Sequence, residues 1–279
     1  MEEPIIPLRL WRNPVFRVAT GLEFLVGFAM FGGIVFLPLY LQTVGHASAT
    51  NSGLLIMPLM LGLMATSITS GRIITRTGRY KVFPVVGTAL MAAGLYLLST
   101  MGLHTSRVQS SVYMFVLGAG MGMIVQVMVL AVQNAVEHKD MGTATGTEVF
   151  SRSMGASFGV ALYGAILNNR LAHYLPRLIP GGQARALNVR TLTASPAAIR
   201  RLPPPVQHGV VEALAKSLHV VFLVGVPFMV VAFCVVWFLR ETPLRETAFL
   251  TVDEAGVEAA EGEAVGAAGV LLAEAAEAR

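Results

Sequence analysis

The chain has 279 residues, of which 54% are hydrophobic and 13% are charged, and its mean hydropathy is +0.66. These values lie far from those of a soluble domain and indicate an integral membrane protein. The net charge of +4 comes from basic residues between apolar stretches, without interleaved aromatic residues, which argues against nucleic-acid binding.

Six apolar stretches are long enough to cross a bilayer core, which takes about 20 helical residues. They run approximately from Val18 to Leu41, Ser52 to Ile74, Val82 to Met101, Val112 to Ala135, Thr145 to Leu167 and Leu218 to Leu239. We therefore expect an all-α membrane protein with a six-helix transmembrane bundle over residues 18–240. Residues 1–17 form an N-terminal segment, and residues 241–279 form a tail rich in Ala, Glu and Gly that we expect to be disordered.

An even number of spans places both termini on one side of the membrane. The N-terminal segment and the turn after the second span are basic, which predicts that both termini are cytoplasmic. The predicted outer loop over residues 168–217 also carries several Arg residues, but longer loops follow the charge rule less strictly. Within that loop, residues 206–219 have apolar positions at helical spacing and predict a short amphipathic helix on the outer surface.

The turn between the second and third spans has a recognisable spacing of glycines and basic residues. With Thr75 in place of the acid, it fits the pattern Gly-x-x-x-Asp-Arg-x-Gly-Arg-x-Lys. The matching residues are Gly71, Arg76, Gly78, Arg79 and Lys81. The pattern resembles the gating-loop signature of the major facilitator superfamily of secondary transporters. The alternative is an ordinary basic loop without a gating role.

The fourth span combines glycines in its middle with amides toward its end. Gly118 and Gly122 lie in an apolar helix with no strand before them, which indicates helix packing rather than a dinucleotide site. Gln126, Gln133 and Asn134 need hydrogen-bond partners or a wet cavity at membrane depth. They are candidates for a substrate path, and hydrogen bonding between helices is the alternative.

Three of the ionisable residues inside predicted spans are candidates for function: Glu23, Glu148 and Arg152. Glu148 and Arg152 are one helical turn apart in the fifth span, so they can pair along one face. They are candidates for the substrate path or for a response to protons, and mutual neutralisation near the cytoplasmic interface is the alternative. Glu23, near the start of the first span, is a further candidate that is equally compatible with an interfacial position.

The stretch from Gln133 through the fifth span carries the strongest family resemblance. The residues concerned are Gln133, Asn134, Ala135, Val136, Asp140, Gly142, Ala144, Thr145, Arg152, Gly155, Gly159 and Gly164. They resemble the corresponding stretch of the EmrB/QacA-like drug:proton antiporters, the fourteen-span branch of the major facilitator superfamily. The resemblance covers roughly residues 7–240 and corresponds to the last six helices of that family; in it, Gly155 and Gly159 are expected to pack helices together.

The resemblance implies export of hydrophobic, often cationic small molecules in exchange for protons, in a multi-pass protein of the cell membrane. Because the chain corresponds to one six-helix half, we expect it to work by alternating access with a separate first half or a second copy. The acids used for proton coupling in such antiporters mostly belong to the first half. The alternative is a structural or regulatory membrane module, or an inactive fragment, that retains the fold without transport.

No constellation of residues typical of an enzyme is found in the sequence. The six histidines have no metal-ligand spacing, the single cysteine excludes a zinc-binding cysteine pair, and neither a nucleophile elbow nor a phosphate loop occurs. We therefore expect no catalytic residue, no metal and no cofactor.

Overall fold

The computed structural model describes residues 9–45, 47–179, 199 and 202–241, and all regular structure in these residues is helical. In chain order the α-helices described are α1 (Pro14–Thr43), α2 (Ala49–Leu55), α3 (Met57–Thr77), α4 (Val82–Ser99), α5 (Arg107–Ala135), α6 (Met141–Leu178) and α7 (Pro204–Val236). Short 3₁₀ turns, Leu10–Arg12 and His138–Asp140, precede α1 and α6. The predicted all-α fold is confirmed, while the tail after Glu241 lies outside the described residues.

Local sequence signals set several of the helix ends. The side chain of Asn13 accepts a hydrogen bond from the backbone N–H of Val15 at 2.9 Å and so caps the start of α1. Ser48 and Ser106 cap α2 and α5 in the same way. Gly78 ends α3 with a φ of 69°, a left-handed conformation that glycine adopts without steric cost.

Five helical stretches are long and apolar enough to cross a membrane: α1, Asn51–Thr77, α4, α5 and α7. They correspond to five of the six predicted spans. The remaining predicted span, Thr145 to Leu167, lies within the 38 residues of α6, a helix about 57 Å long at 1.5 Å per residue. Thr, Ser and Arg side chains make α6 the most polar of the long helices described.

The long helices alternate in direction. Contacts in which both residue numbers rise together show that α1 runs parallel to α6 and α3 runs parallel to α5. These contacts are Gly27 with Arg152, Gly32 with Tyr163, Leu59 with Gly118 and Leu63 with Gly122. Helix α6 therefore follows the same path through the bundle as α1, which supports its assignment as a sixth crossing.

Antiparallel contacts place the remaining helices. Tyr80, just before α4, donates a hydrogen bond to the carbonyl of Arg240 at 2.9 Å, and Ser99 at the other end of α4 contacts His219. The start of α1, the α3–α4 turn, the α5–α6 connection and the end of α7 therefore share one end of the bundle. We call this the basic end because of its cationic side chains, which are Arg9, Arg12, Arg17, Arg76, Arg79, Lys81, Lys139 and Arg240.

The structure shortens the predicted outer loop over residues 168–217. Helix α6 continues to Leu178 because leucines at four-residue spacing are buried along it; they are Leu167, Leu171 and Leu175. Helix α7 begins at Pro204 and is continuous with the last span, so residues 206–219 do not form a separate surface helix. Val210 and Leu214 of this stretch are 0% exposed because they pack inside the bundle. Apolar residues recur at helical spacing both in a helix that lies on the membrane surface and in a helix that packs inside a bundle, so this pattern fits either arrangement.

Candidate functional site

Helices α1 and α6 touch backbone to backbone because glycines line their contact. A Cβ atom added at Gly155 would lie 2.0 Å from the carbonyl oxygen of Phe24, and one added at Gly27 would lie 2.1 Å from that of Arg152. Gly159 lies one turn further along α6 in the same contact. A side chain at any of these positions would force the helices apart.

Three ionisable side chains meet at this contact. Nη1 of Arg152 donates to Oε2 of Glu23 at 3.2 Å, which forms an ion pair between α6 and α1. Glu148, one turn before Arg152, is 0% exposed, as is Glu23. The sequence allows Arg152 to pair with Glu148 on the same helix, but in the structure its guanidinium bonds to Glu23 on the neighbouring helix. Glu23 is buried rather than interfacial.

Several polar atoms around this ion pair are buried without a hydrogen-bond partner in the described chain. They are both carboxyl oxygens of Glu148, Oε1 of Glu23, and the hydroxyls of Thr20 and Thr145. Each threonine precedes a glutamate by three residues, so it lies one turn away on the same helix. Buried polar atoms normally have partners. Their concentration here marks the α1–α6 contact as the candidate functional site.

An open groove of about 690 Å³ lies between the end of α5 and the start of α6, at the basic end. Gln133 lines it from α5, and Thr145 and Val149 line it from α6. Gln126, two turns before Gln133, is exposed, while Asn134 is half-buried. The groove thus brings one predicted amide close to the turn of α6 that precedes Glu148.

The α3–α4 turn holds the end of α7. The hydroxyl of Tyr80 donates to the carbonyl of Arg240, and Nζ of Lys81 donates to the carbonyl of Trp237, each at 2.9 Å. The last carbonyls of a helix lack partners within the helix, and cationic donors suit the negative end of its dipole. Lys81 was predicted as a member of the loop motif. Tyr80 was not, because its partner lies 160 residues away.

The other members of the loop motif have different surroundings. Gly78 provides the left-handed turn, whereas a Cβ atom at Gly71 would meet nothing within 4 Å in the described residues. The side chains of Arg76 and Arg79 are exposed at the basic end. The hydrogen bonds described from the loop to α7 therefore come from its last two residues.

The glycines of α5 lie at its contact with α3. A Cβ atom at Gly118 would lie 2.0 Å from the carbonyl oxygen of Leu59, and one at Gly122 would lie 2.2 Å from that of Leu63. The hydroxyl of Thr66 also donates to the carbonyl of Ala119 at 2.8 Å, across the same contact. In the described part of the chain, no three potential metal ligands of the His, Cys, Asp or Glu type lie together.

Comparison with protein families gives one family model, the Major Facilitator Superfamily, which matches residues 2–160. An MFS-type transporter of Mycobacterium tuberculosis, strain H37Rv, is 44% identical over 242 residues, which are 87% of this chain and 35% of that protein. The multidrug transporter protein MdtP of Bacillus subtilis is 29% identical over 266 residues, which are 87% of this chain and 49% of that protein.

A solved structure, a bacterial homologue of the human lysosomal transporter Spinster in an inward-facing conformation, has a similar fold. Its TM-score is 0.61 at 16% sequence identity, and the match covers 86% of this chain and 53% of that one. The chain thus spans half or less of the length of the two relatives and about half of the solved structure.

Proposed function

Since this chain belongs to the major facilitator superfamily, a family of membrane transporters and not of enzymes, we propose that it forms one half of a small-molecule efflux transporter. Transporters of this fold have two six-helix halves, bind substrate between them and alternate access by rocking one half against the other. The resemblance of its motifs and the multidrug names of several relatives support the EmrB/QacA-like, fourteen-span branch. The substrates are then hydrophobic, often cationic molecules, exchanged for protons.

The exposed face of α6 is the observation that carries this proposal. Phe150 and Phe158 are each 58% exposed, and Ser153 and Ser157 are exposed between them. A face of aromatic rings and hydroxyls suits a wet cavity that binds apolar solutes. The part of α7 after His219, by contrast, exposes mainly apolar side chains such as Leu223, Val230 and Val231, as expected for a helix against lipid.

Helix α3 supplies a second free face. In the most apolar 18 residues of Asn51–Thr77, only 17% of the residues are buried, against 61% in the corresponding part of α5. Before Thr69 the exposed side chains of α3 are apolar, and they include Met60, Leu61 and Met64. We assign these free faces of α3 and α6 to the contact with the other half, which is either a first half or a second copy of this chain.

The distribution of charge supports an orientation. Cytoplasmic ends of membrane proteins are enriched in Lys and Arg, so the basic end is assigned to the cytoplasm, with both termini on that side of the cell membrane. Cysteines at Arg79 and at Ser106, each in a Cys234→Ser background, test this. An impermeant maleimide added outside intact cells should label position 106 and leave position 79 unlabelled, and the reverse labelling contradicts the orientation.

Cysteine accessibility also tests the wet face of α6. In membranes, Ser153→Cys should react with a water-soluble maleimide and Val231→Cys should not, both without Cys234. Ethidium, a hydrophobic cation, should slow labelling at position 153. If position 231 is labelled and position 153 is not, the proposal is contradicted, because lipid rather than water would then lie against this face of α6.

Transport itself is tested in proteoliposomes with an imposed proton gradient. The chain combined with the first half of the related Mycobacterium tuberculosis transporter should expel ethidium, and an uncoupler should stop the efflux. If no combination of first half or second copy supports efflux, the chain is a structural module that retains the fold. Efflux by a purified monomer would refute the two-half arrangement while leaving transport intact.

A further inference from the structure

The buried cluster of Glu23, Glu148 and Arg152 contains two carboxyl groups and a single guanidinium. Within the described chain, Glu23 and Arg152 are the charged groups that interact with Glu148, and Glu23 also bonds to Arg152. If both carboxyl groups are ionised, one negative charge stays uncompensated inside the bundle. An unpaired charge at membrane depth is costly, so one added proton makes the cluster neutral and favours its burial.

The contacts indicate which carboxyl group takes that proton. Oε2 of Glu23 accepts a hydrogen bond from Arg152, so the charged form of Glu23 has a partner. Both oxygens of Glu148 are buried and have no donor in the described chain. A carboxylate without donors lacks the stabilisation that its neighbour receives.

In the residues that the structure describes, no other charged side chain faces the cluster from the helices packed around it. Helix α5 has none between Arg107 and Ala135, and α7 has none between His219 and Val236, where its one thiol is exposed. On α1, Arg17 lies exposed at the basic end. The ionisable hydroxyl of Tyr163 is further along α6, against Gly32 and away from Glu148.

Thr145 of α6 lies next to both Glu148 and the groove between α5 and α6. Thr145 lines the groove and precedes Glu148 by one turn, and its hydroxyl is buried without a partner. A hydroxyl both donates and accepts, so it can relay a proton between a carboxyl group and water. The groove opens at the basic end, so a proton relayed by Thr145 would enter or leave on that side.

We propose that Glu148 is a proton-binding residue of this half, with Arg152 and Glu23 as its charge partners and Thr145 as its relay to the groove. In the exchange, the O–H bond of the Glu148 carboxyl group breaks and an O–H bond forms on water in the groove, with no oxidation or reduction. Loss of the proton gives Arg152 a second anionic acceptor on its own helix. This competition weakens the ion pair that joins α6 to α1, and so connects protonation to the helix contact.

The inference deepens the proposed transport and takes its biological meaning from it, but its first test needs no transport. Infrared spectroscopy of the purified chain in lipid should show the carbonyl stretch of one buried carboxylic acid at neutral pH. Glu148→Gln should remove this band, and the surface variant Glu212→Gln should retain it. Glu23→Gln should also weaken or remove it, because Arg152 is then free to neutralise an ionised Glu148. Absence of the band from the wild type, or its retention in Glu148→Gln, overturns the proposal.

A conservative variant covers the case in which Glu148→Gln does not fold. Glu148→Asp keeps a carboxyl group on a shorter side chain, so its band should shift in frequency. An unshifted band belongs to another residue and overturns the proposal. A transport assay then separates the two proposals: Glu148→Gln should lose proton-driven ethidium efflux and retain ethidium exchange. If the band is assigned to Glu148 and the wild type shows no efflux, the transport proposal fails and the proton site remains.

Discussion

The contact between α1 and α6 predicts opposite effects for the same substitution at two glycines of α6. A Cβ atom at Gly155 would lie 2.0 Å from the carbonyl oxygen of Phe24, whereas one at Gly164 would meet nothing within 4 Å in the described residues. An ordinary contact is about 3.4 Å or longer. Gly155→Ala therefore moves the two helices apart by roughly 1 Å or more, while Gly164→Ala requires no movement.

The magnitude follows from two opposing terms. Overpacking a close contact costs about 1–3 kcal/mol, while replacing glycine by alanine in a helix recovers up to about 1 kcal/mol. When the full favourable term is subtracted, the net loss at Gly155 is about 0–2 kcal/mol, which lowers Tm by up to about 8 °C for a chain of this size. Gly164→Ala keeps only the favourable term and should raise Tm slightly or leave it unchanged.

The assay is thermal unfolding of the purified variants in one detergent. Unfolding is monitored as the loss of the monodisperse protein with rising temperature. Gly155→Leu extends the series, because a larger side chain requires more separation and a larger loss. Equal Tm values for Gly155→Ala and Gly164→Ala, or a gain at Gly155, would refute the backbone contact on which the site depends.

Three further predictions test the ion pair and the basic end, the first two by the same Tm measurement and the third by amide hydrogen exchange. Arg152→Met leaves Glu23 buried without its partner and should lower the free energy of unfolding by about 3–5 kcal/mol. Adding Glu23→Gln should restore part of that stability. Equal losses of stability in the single and double variants would count against the ion pair. Gly78→Ala should cost about 1–2 kcal/mol because φ is positive there, whereas Gly71→Ala, with open space and no positive φ, should be neutral or stabilising. Tyr80→Phe removes a hydrogen bond worth about 0.5–1.5 kcal/mol and should speed amide hydrogen exchange at the end of α7; unchanged exchange would assign that end to other contacts.

The helices themselves were predictable because apolar length and local capping signals act within one segment. Five predicted spans correspond to helices of sufficient length and hydropathy, and Gly78 ends α3 as its position in the motif suggests. The end of α6 and the start of α7 were not predictable in the same way. Their apolar residues recur at helical spacing whether a helix lies on the membrane surface or packs inside a bundle, and tertiary contacts decide between the two.

The partner of Arg152 shows a different limit of sequence analysis. Glu148 is the near candidate at four residues, whereas Glu23 is 129 residues away and belongs to another helix. Their pairing depends on the register between α1 and α6, which the glycine contacts fix. Gly27 and Gly155 were recognisable as small residues, but a list of glycines does not specify which of them face each other.

The same glycines connect the stability of the bundle with the proposed proton site. Without side chains at Gly27 and Gly155, the backbones of α1 and α6 approach closely enough to enclose Glu23 and Glu148. Polar groups buried in this way are costly, and natural proteins keep such conflicts mainly where function requires them. A helix pair that excludes lipid from two carboxyl groups, while the groove at Thr145 approaches one of them, has the arrangement that controlled proton access requires. Widening the pair with Gly155→Ala should therefore weaken the ion pair together with the fold, because one contact maintains both.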